Sequence, residues 1–209
     1  MRIRKSAEAR RLEIVQASLR LAGELGPDRL TTATVARNVG LTQPAIFRHF
    51  ATKQDLWDAI TDYIGKTMEA GWAEAAQCNG TPAQRLRCLV AVQLRLIQST
   101  PAIPAILFSR ELHSRNVALR KALFGLMRRF GGLVARCIAQ ARDVGEFRDD
   151  LDPDDAALLI IGLIQGLALR WSLSGRAFGL AKEGGRLLDI QLRGFAPLPA
   201  TTTRNRRPR

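Results

Sequence analysis

The chain has 209 residues, 46% of them hydrophobic and 24% charged, enough apolar material for one sizeable core or two smaller ones and too much for a disordered chain. Its 32 Lys and Arg outweigh 19 Asp and Glu, a formal charge of +13 that favours polyanionic partners, nucleic acid ahead of an anionic membrane surface. An arginine-rich genome would also produce a basic chain, so charge alone leaves the partner open.

In chain order, "MRIRKSAEARRLEIV" is charged and then amphipathic, without an apolar signal core. The first helix spans "EARRLEIVQASLRLAGELG": Ile14, Ala17, Ser18, Leu21, Ala22 and Leu25 share one face, and Arg10, Arg11, Glu13, Arg20 and Glu24 the other. Gly26 and Pro27 stop it. A short helix follows in "TTATVARNVG", capped by Thr31 or Thr32, with Val35, Ala36 and Val39 apolar and Gly40 at its end. Thr42 is the natural cap of a third short helix, with Pro44 in its first turn, where a missing N–H costs little. Thr52 opens a fourth helix reaching about residue 78.

"NGTP" breaks the chain at 79–82, and Thr81 with Pro82 starts the helix "AQRLRCLVAVQLRLIQ". Pro101 and Pro104 leave room only for a short helix over 102–112. Ser114 caps a long helix ending at Gly145. Asp152 and Pro153 then open a helix that runs to about Ser174, where Gly175 stops it, and a last helix covers "EGGRLLDIQLRGF". The apolar run 156–169 falls short of a bilayer span and is interrupted by Gln165. Strand and hairpin signals are absent. The expected fold is all-α, about nine helices, with an N-terminal three-helix unit over 1–52, a helical bundle over 53–196 and a disordered basic tail over 197–209. Cys78, Cys88 and Cys137 show no C-x-x-C or Cys/His metal spacing and read as reduced core thiols in a cytosol.

Two short helices separated by "VGL" match a helix-turn-helix. Gly40 reverses the chain, Leu41 plugs between the helices, and the small Ala36 lets them approach. Val35, Val39, Leu41, Ile46, Phe47 and Phe50 supply apolar contacts, with Ile14 and Leu21 from the first helix. Thr42, Gln43 and Ala45 could then meet base edges in a major groove, since Gln pairs bidentately with adenine and methyl groups meet thymine methyls.

The run "LTTATVARNVGLTQPAIFRHFATKQDLWDAI" resembles the DNA-binding domain of the TetR family of transcriptional regulators. Thr32, Val35-Ala36, Gly40-Leu41-Thr42, Phe47-Arg48-His49-Phe50 and Lys53 hold the family's places in register, over roughly residues 10 to 60. The resemblance implies Thr32 and Thr34 near phosphate and Gln43, Pro44 and Ala45 towards bases. It places Phe47 and His49 at the backbone and Lys53 on phosphate. Phe47 stands where tyrosine is usual, so its ring packs without a hydroxyl bond to phosphate, and Pro44 removes a backbone N–H. Arg48 reads a base or neutralises phosphate, and His49 is alternatively a partly buried cap. Arg2, Arg4, Lys5, Arg10 and Arg11 form a solvated arm or an arm in the minor groove.

Beyond residue 60 the resemblance is one of architecture: a linker helix, a ligand-binding bundle and two final dimerising helices. It implies a cytoplasmic, nucleoid-associated homodimer on a palindromic double-stranded operator, released by an apolar small-molecule effector. Trp72, Leu89, Ile106, Phe108, His113, Phe124, Met127 and Gln165 are candidate pocket residues, each equally explained as core, with His113 as a cap. Gly162 and Gly166, with Leu159, Leu163, Leu167, Leu187, Leu188, Ile190 and Leu192, look like half of a four-helix dimer interface. The alternative is that the glycines pack within the monomer. No H-E-x-x-H, G-x-S-x-G, P-loop or dinucleotide turn is present, and Asp149-Asp150 and Asp154-Asp155 fit helix N-terminal charge better than acid–base chemistry. Neither an enzyme nor a cofactor or metal site is expected, nor a membrane-bound protein. A second reading keeps the DNA-binding unit but puts it in a nucleoid or cell-division regulator controlled by a protein partner or by DNA.

Overall fold

The computed structural model describes residues 6–197, so the expected arm at Arg2, Arg4 and Lys5 and the tail from residue 198 lie outside the described residues. Among the described residues there are ten α-helices and no strand. Three helices form the N-terminal unit: α1 (Ala7–Leu25), α2 (Thr32–Asn38) and α3 (Gln43–Phe47), with a 3-10 turn at Pro27–Arg29. Seven more make the bundle: α4 (Lys53–Ala76), α5 (Pro82–Ser99), α6 (Ala102–Leu107), α7 (Arg110–Arg115), α8 (Val117–Asp143), α9 (Pro153–Leu173) and α10 (Leu180–Arg193).

Local chemistry sets most helix starts. Thr31 accepts the Thr34 N–H, and Thr52 with Asp55 and Thr81 with Gln84 form reciprocal capping boxes. Asp152 accepts the N–H groups of both Asp154 and Asp155. Ser109 accounts for a helix more than expected: its hydroxyl accepts the Leu112 N–H at 3.0 Å and splits the segment 102–112 into α6 and α7. Asn116, not Ser114, caps α8 through the Leu119 N–H at 2.9 Å, while the Ser114 hydroxyl donates to the Glu111 carbonyl.

Helix α1 buries Ile14, Ala17, Ser18, Leu21 and Ala22 as expected, and Val15 and Leu19 besides, because it is covered by α2 on one side and by α4 and α6 on another. Leu25, expected on that face, is 44% exposed at the helix end. The bundle stacks α4 on α5 and α8, α8 on α9, and α10 on α5 and α9. One apolar core runs from Ile14 and Phe50 in the N-terminal unit through Ile64 and Phe130 to Leu188.

Among the described residues, α9 is long and apolar enough to cross a membrane by length and composition, at 21 residues and a mean hydropathy of 1.7. The expectation of too short a segment fails because helical residues flank the apolar run at both ends. Ala156, Ile160, Ile164, Leu167 and Trp171 on its inner face are nevertheless packed in the bundle core.

The cysteine expectation is also corrected. Cys78, just past α4, and Cys88 on α5 form a disulfide with their Cα atoms 6.6 Å apart, because the reversal at 79–82 lays the two segments together. Cys137 is a free thiol, half-buried on α8, and burial pushes it up against the opposite pull of Arg85 and Arg136. The disulfide joins positions 10 apart, and chain entropy gives such a loop roughly 2–3 kcal/mol of stabilisation. A Cys88→Ser variant should therefore lose about that much in urea titration. Thiol titration should find one free cysteine in the unreduced protein; three, with no change in the midpoint, would mean the sulfurs are not joined.

Candidate nucleic-acid interface and effector cavity

Helix α2 ends in a paired hydrogen bond, the Leu41 N–H to the Ala36 carbonyl at 2.8 Å and the Gly40 N–H to the Arg37 carbonyl at 3.3 Å. Gly40 sits at φ +66°, where a Cβ would be strained, so glycine suits this turn. Helix α3 has five residues, too few to persist by propensity. Thr42 occupies its cap position, but its hydroxyl closes no cap: Pro44 has no N–H and the Ala45 N–H goes to the Thr42 carbonyl.

What holds α3 is its inner face. Ile46 and Phe50 are fully buried, and the Arg11 guanidinium lies 4.2 Å over the Phe50 ring while donating to the His49 carbonyl. Arg11 was expected in a solvated arm or a minor groove, and instead fastens the end of α3 to α1. Its signal in the sequence is faint, an arginine one turn before the buried Ile14.

Thr42, Gln43, Pro44, Arg48 and Lys53 are exposed, Thr34 and His49 half-buried, and Lys53 is the first residue of α4. Phe47 is 42% exposed, so it lies on the outer side of α3 and not among the core contacts expected of it. Two expected contact residues turn inward. Ala45 is buried beneath α3, and Thr32, first residue of α2, is buried facing α3, where its hydroxyl accepts the Gln43 Nε2–H at 2.9 Å. The Gln43 amide is thereby held by one N–H and keeps its oxygen and second N–H for other partners.

A cavity of about 70 Å³ lies between α4, α5, α6, α8 and α9. Four of the candidate pocket residues, Trp72, Ile106, Met127 and Gln165, line it together with Met68, Gln93, Pro104 and Ile161, which sequence reasoning missed. The Trp72 indole N–H donates to Gln93 Oε1 at 2.7 Å, and the ring packs 5.3 Å from Phe130. Phe108 and Phe124 are corrections: they point outward, 37% and 58% exposed, each one position beyond a lining leucine and so about 100° round its helix. His113 is not a lining residue either, since its Nε2 lies 2.8 Å from the Leu107 carbonyl. Leu89 borders a separate surface groove beside Cys78 and Cys137.

Helix α6 touches both the cavity and the N-terminal unit. Ile103, Pro104 and Ile106 line the cavity, while α1 crosses α6 so closely that a Cβ on Gly23 would lie 3.1 Å from the Ala102 nitrogen. The Ser109 hydroxyl donates to Asp28 at 2.8 Å, and Arg176 donates to the Gly23 carbonyl at 3.0 Å.

The outer side of α9 exposes Leu158, Leu159, Leu169 and Leu173, with Gly162 and Gly166 open to space. Leu163 is half-buried. Leu167, Leu188 and Leu192, expected at a dimer interface, are buried in the monomer, because α10 turns its leucines onto α5 and α9, where Gly184 admits Leu94.

Comparison with known proteins fits this arrangement. The family pattern described as bacterial regulatory proteins, tetR family, matches residues 14–60, and that of the Tetracyclin repressor-like C-terminal domain matches 82–182. A nucleoid occlusion factor, SlmA of Vibrio cholerae, is 26% identical over 159 residues, 75% of this chain and 81% of that protein. The ketosteroid transcriptional regulator KstR2 of Mycobacterium tuberculosis superposes with a TM-score of 0.74 at 21% identity, covering 94% of this chain and 100% of that one. FadR of Bacillus subtilis, solved in complex with stearoyl-CoA, gives 0.73 at 18% identity, over 88% and 98%. The chain belongs to the TetR family of bacterial DNA-binding transcription regulators, which are not enzymes.

Proposed function

We propose that the protein is a cytoplasmic homodimeric repressor that leaves a palindromic operator when an apolar small molecule enters the bundle cavity. Residues 1–52 act as the reading head, and residues 53–196 hold the effector and the dimer interface. The observation that carries this reading is α6, which lines the cavity with Ile103, Pro104 and Ile106 and packs directly on α1 of the head. An effector that fits the cavity better when α6 is displaced favours the conformation with the heads moved, and lowers DNA affinity by its differential affinity for the two states. Relatives in shape are a ketosteroid regulator and a stearoyl-CoA-bound regulator, in keeping with an apolar effector. The nucleoid occlusion relatives favour a second reading, in which DNA or a protein partner controls the dimer; the lined cavity tells for the first.

On DNA, Gln43 offers its free oxygen and N–H to adenine, oriented by Thr32 beneath it. Arg48, His49 and Lys53 meet phosphate. Fluorescence anisotropy on operator DNA tests the docking. Gln43→Ala should cost about 1–3 kcal/mol, and Lys53→Ala should lower the slope of log affinity against log salt by about one per head. A Gln43→Ala/His49→Ala double variant within about 1 kcal/mol of wild type would remove this docking.

A further inference from the structure

The cavity chemistry narrows the effector. This inference rests on reading the cavity as the effector site. Seventeen residues line it and none carries a charged side chain. Its side-chain polar groups are the Trp72 indole N–H and the amides of Gln93 and Gln165. The Trp72 indole N–H donates to Gln93 Oε1 at 2.7 Å, which occupies the Gln93 oxygen and leaves its amide N–H groups as donors beside those of Gln165. Gln165 on α9 donates an Nε2–H across to the Met127 thioether on α8 at 3.5 Å, and a thioether is a weak acceptor. A ligand oxygen would be a better partner for that N–H than the sulfur it replaces.

Two further features fix the class. A carboxylate or phosphate in this cavity would shed its water and meet no countercharge, so an ionised end is excluded from it. The space, about 70 Å³, is smaller than the roughly 150 Å³ that holds a benzene ring in an engineered cavity, so side chains must give way as the ligand enters. Met68 and Met127 are the lining side chains best able to do so, being unbranched and flexible.

We propose that the effector is an uncharged, mainly apolar molecule with a carbonyl or hydroxyl oxygen, and that Gln165 selects it by moving its amide hydrogen bond from the Met127 sulfur to that oxygen. Met127 swings aside in the exchange, which loosens the contact between α8 and α9 at the cavity wall.

The test compares two twelve-carbon probes, 2-dodecanone and laurate, titrated calorimetrically into the full-length protein. The ketone should bind at least tenfold more tightly than laurate. Gln165→Met, close in volume, should weaken the ketone roughly five- to tenfold, the loss of one hydrogen bond, without shifting the melting temperature of the free protein appreciably. Laurate binding as tightly as the ketone, or wild-type ketone affinity in Gln165→Met, overturns the assignment of Gln165 while leaving the cavity as effector site. Failure of both probes to bind removes the cavity reading itself, and this inference with it.

Discussion

A Phe50→Ala variant is expected to lose about 3–5 kcal/mol of stability and nearly all operator binding. Phe50 is 1% exposed and closes the five-residue α3 from below, with its N–H on the Ile46 carbonyl and the Arg11 guanidinium against its outer ring face. Deleting the ring leaves a hole where α1 and α3 meet and takes away the surface that Arg11 stacks on. A helix this short has no stability of its own to fall back on, so the reading surface goes with the anchor. Whole domains are stable by only about 5–15 kcal/mol, so a loss of this size can unfold the head locally while the bundle stays folded. Circular dichroism should then show a lowered first transition, and anisotropy on operator DNA should show little specific binding. Arg11→Ala makes the finer test. Its stacking contributes about 0.5–1 kcal/mol, so DNA affinity should fall with little change in melting. Wild-type affinity in Phe50→Ala would mean that something other than this anchor orients α3.

The parts of this fold that were legible beforehand are those decided within one turn of chain. Thr52, Thr81 and Asp152 mark helix starts because a side-chain oxygen three residues ahead of a free N–H caps it whatever the rest of the molecule does. Gly40 marks the helix-turn-helix because few other residues accept its backbone conformation. Competition between neighbours defeats the same logic: Asn116 outbids Ser114 two residues away, and Ser109 starts α7 in the middle of an apolar stretch. Facing is harder still, since it depends on partners distant in sequence. Ala45 and Thr32 turn inward because α2 and α3 pack on each other, which a run as short as α3 cannot announce by periodicity. Phe108 and Phe124 look like pocket aromatics by residue type, yet sit just round the helix from residues that do line it. Leucines on α10 suit an outer interface and an inner core equally, and α5 decides between them. Pairing of Cys78 with Cys88 follows from a chain reversal that spacing does not reveal.

The other large effect expected is that of Gly166→Leu, which should raise the melting temperature of the protomer and yet abolish the dimer and tight operator binding. A glycine inside an exposed helix costs about 0.8–1 kcal/mol relative to alanine, and α9 carries two, Gly162 and Gly166, one turn apart on its outer side. A Cβ added at either meets nothing within 4 Å, so nothing within the monomer asks for glycine there. Leu158, Leu159, Leu169 and Leu173 beside them leave that side of α9 apolar and uncovered. In the proposed dimer both features have a use: the leucines bury against the partner copy, and the glycines let two helices cross closely. Leucine at 166 would improve helix propensity in the protomer and block the crossing. Two heads about one DNA turn apart would then bind as separate half-site readers, with affinity lower by roughly 10²–10⁴ once the link between them is gone. Sedimentation velocity, thermal melting and anisotropy on a palindromic duplex read the three quantities separately. A more stable protein that still dimerises and still binds its operator would show that the outer side of α9 is not where the copies meet. A less stable one would show that Gly166 serves the monomer, against the open space that surrounds it.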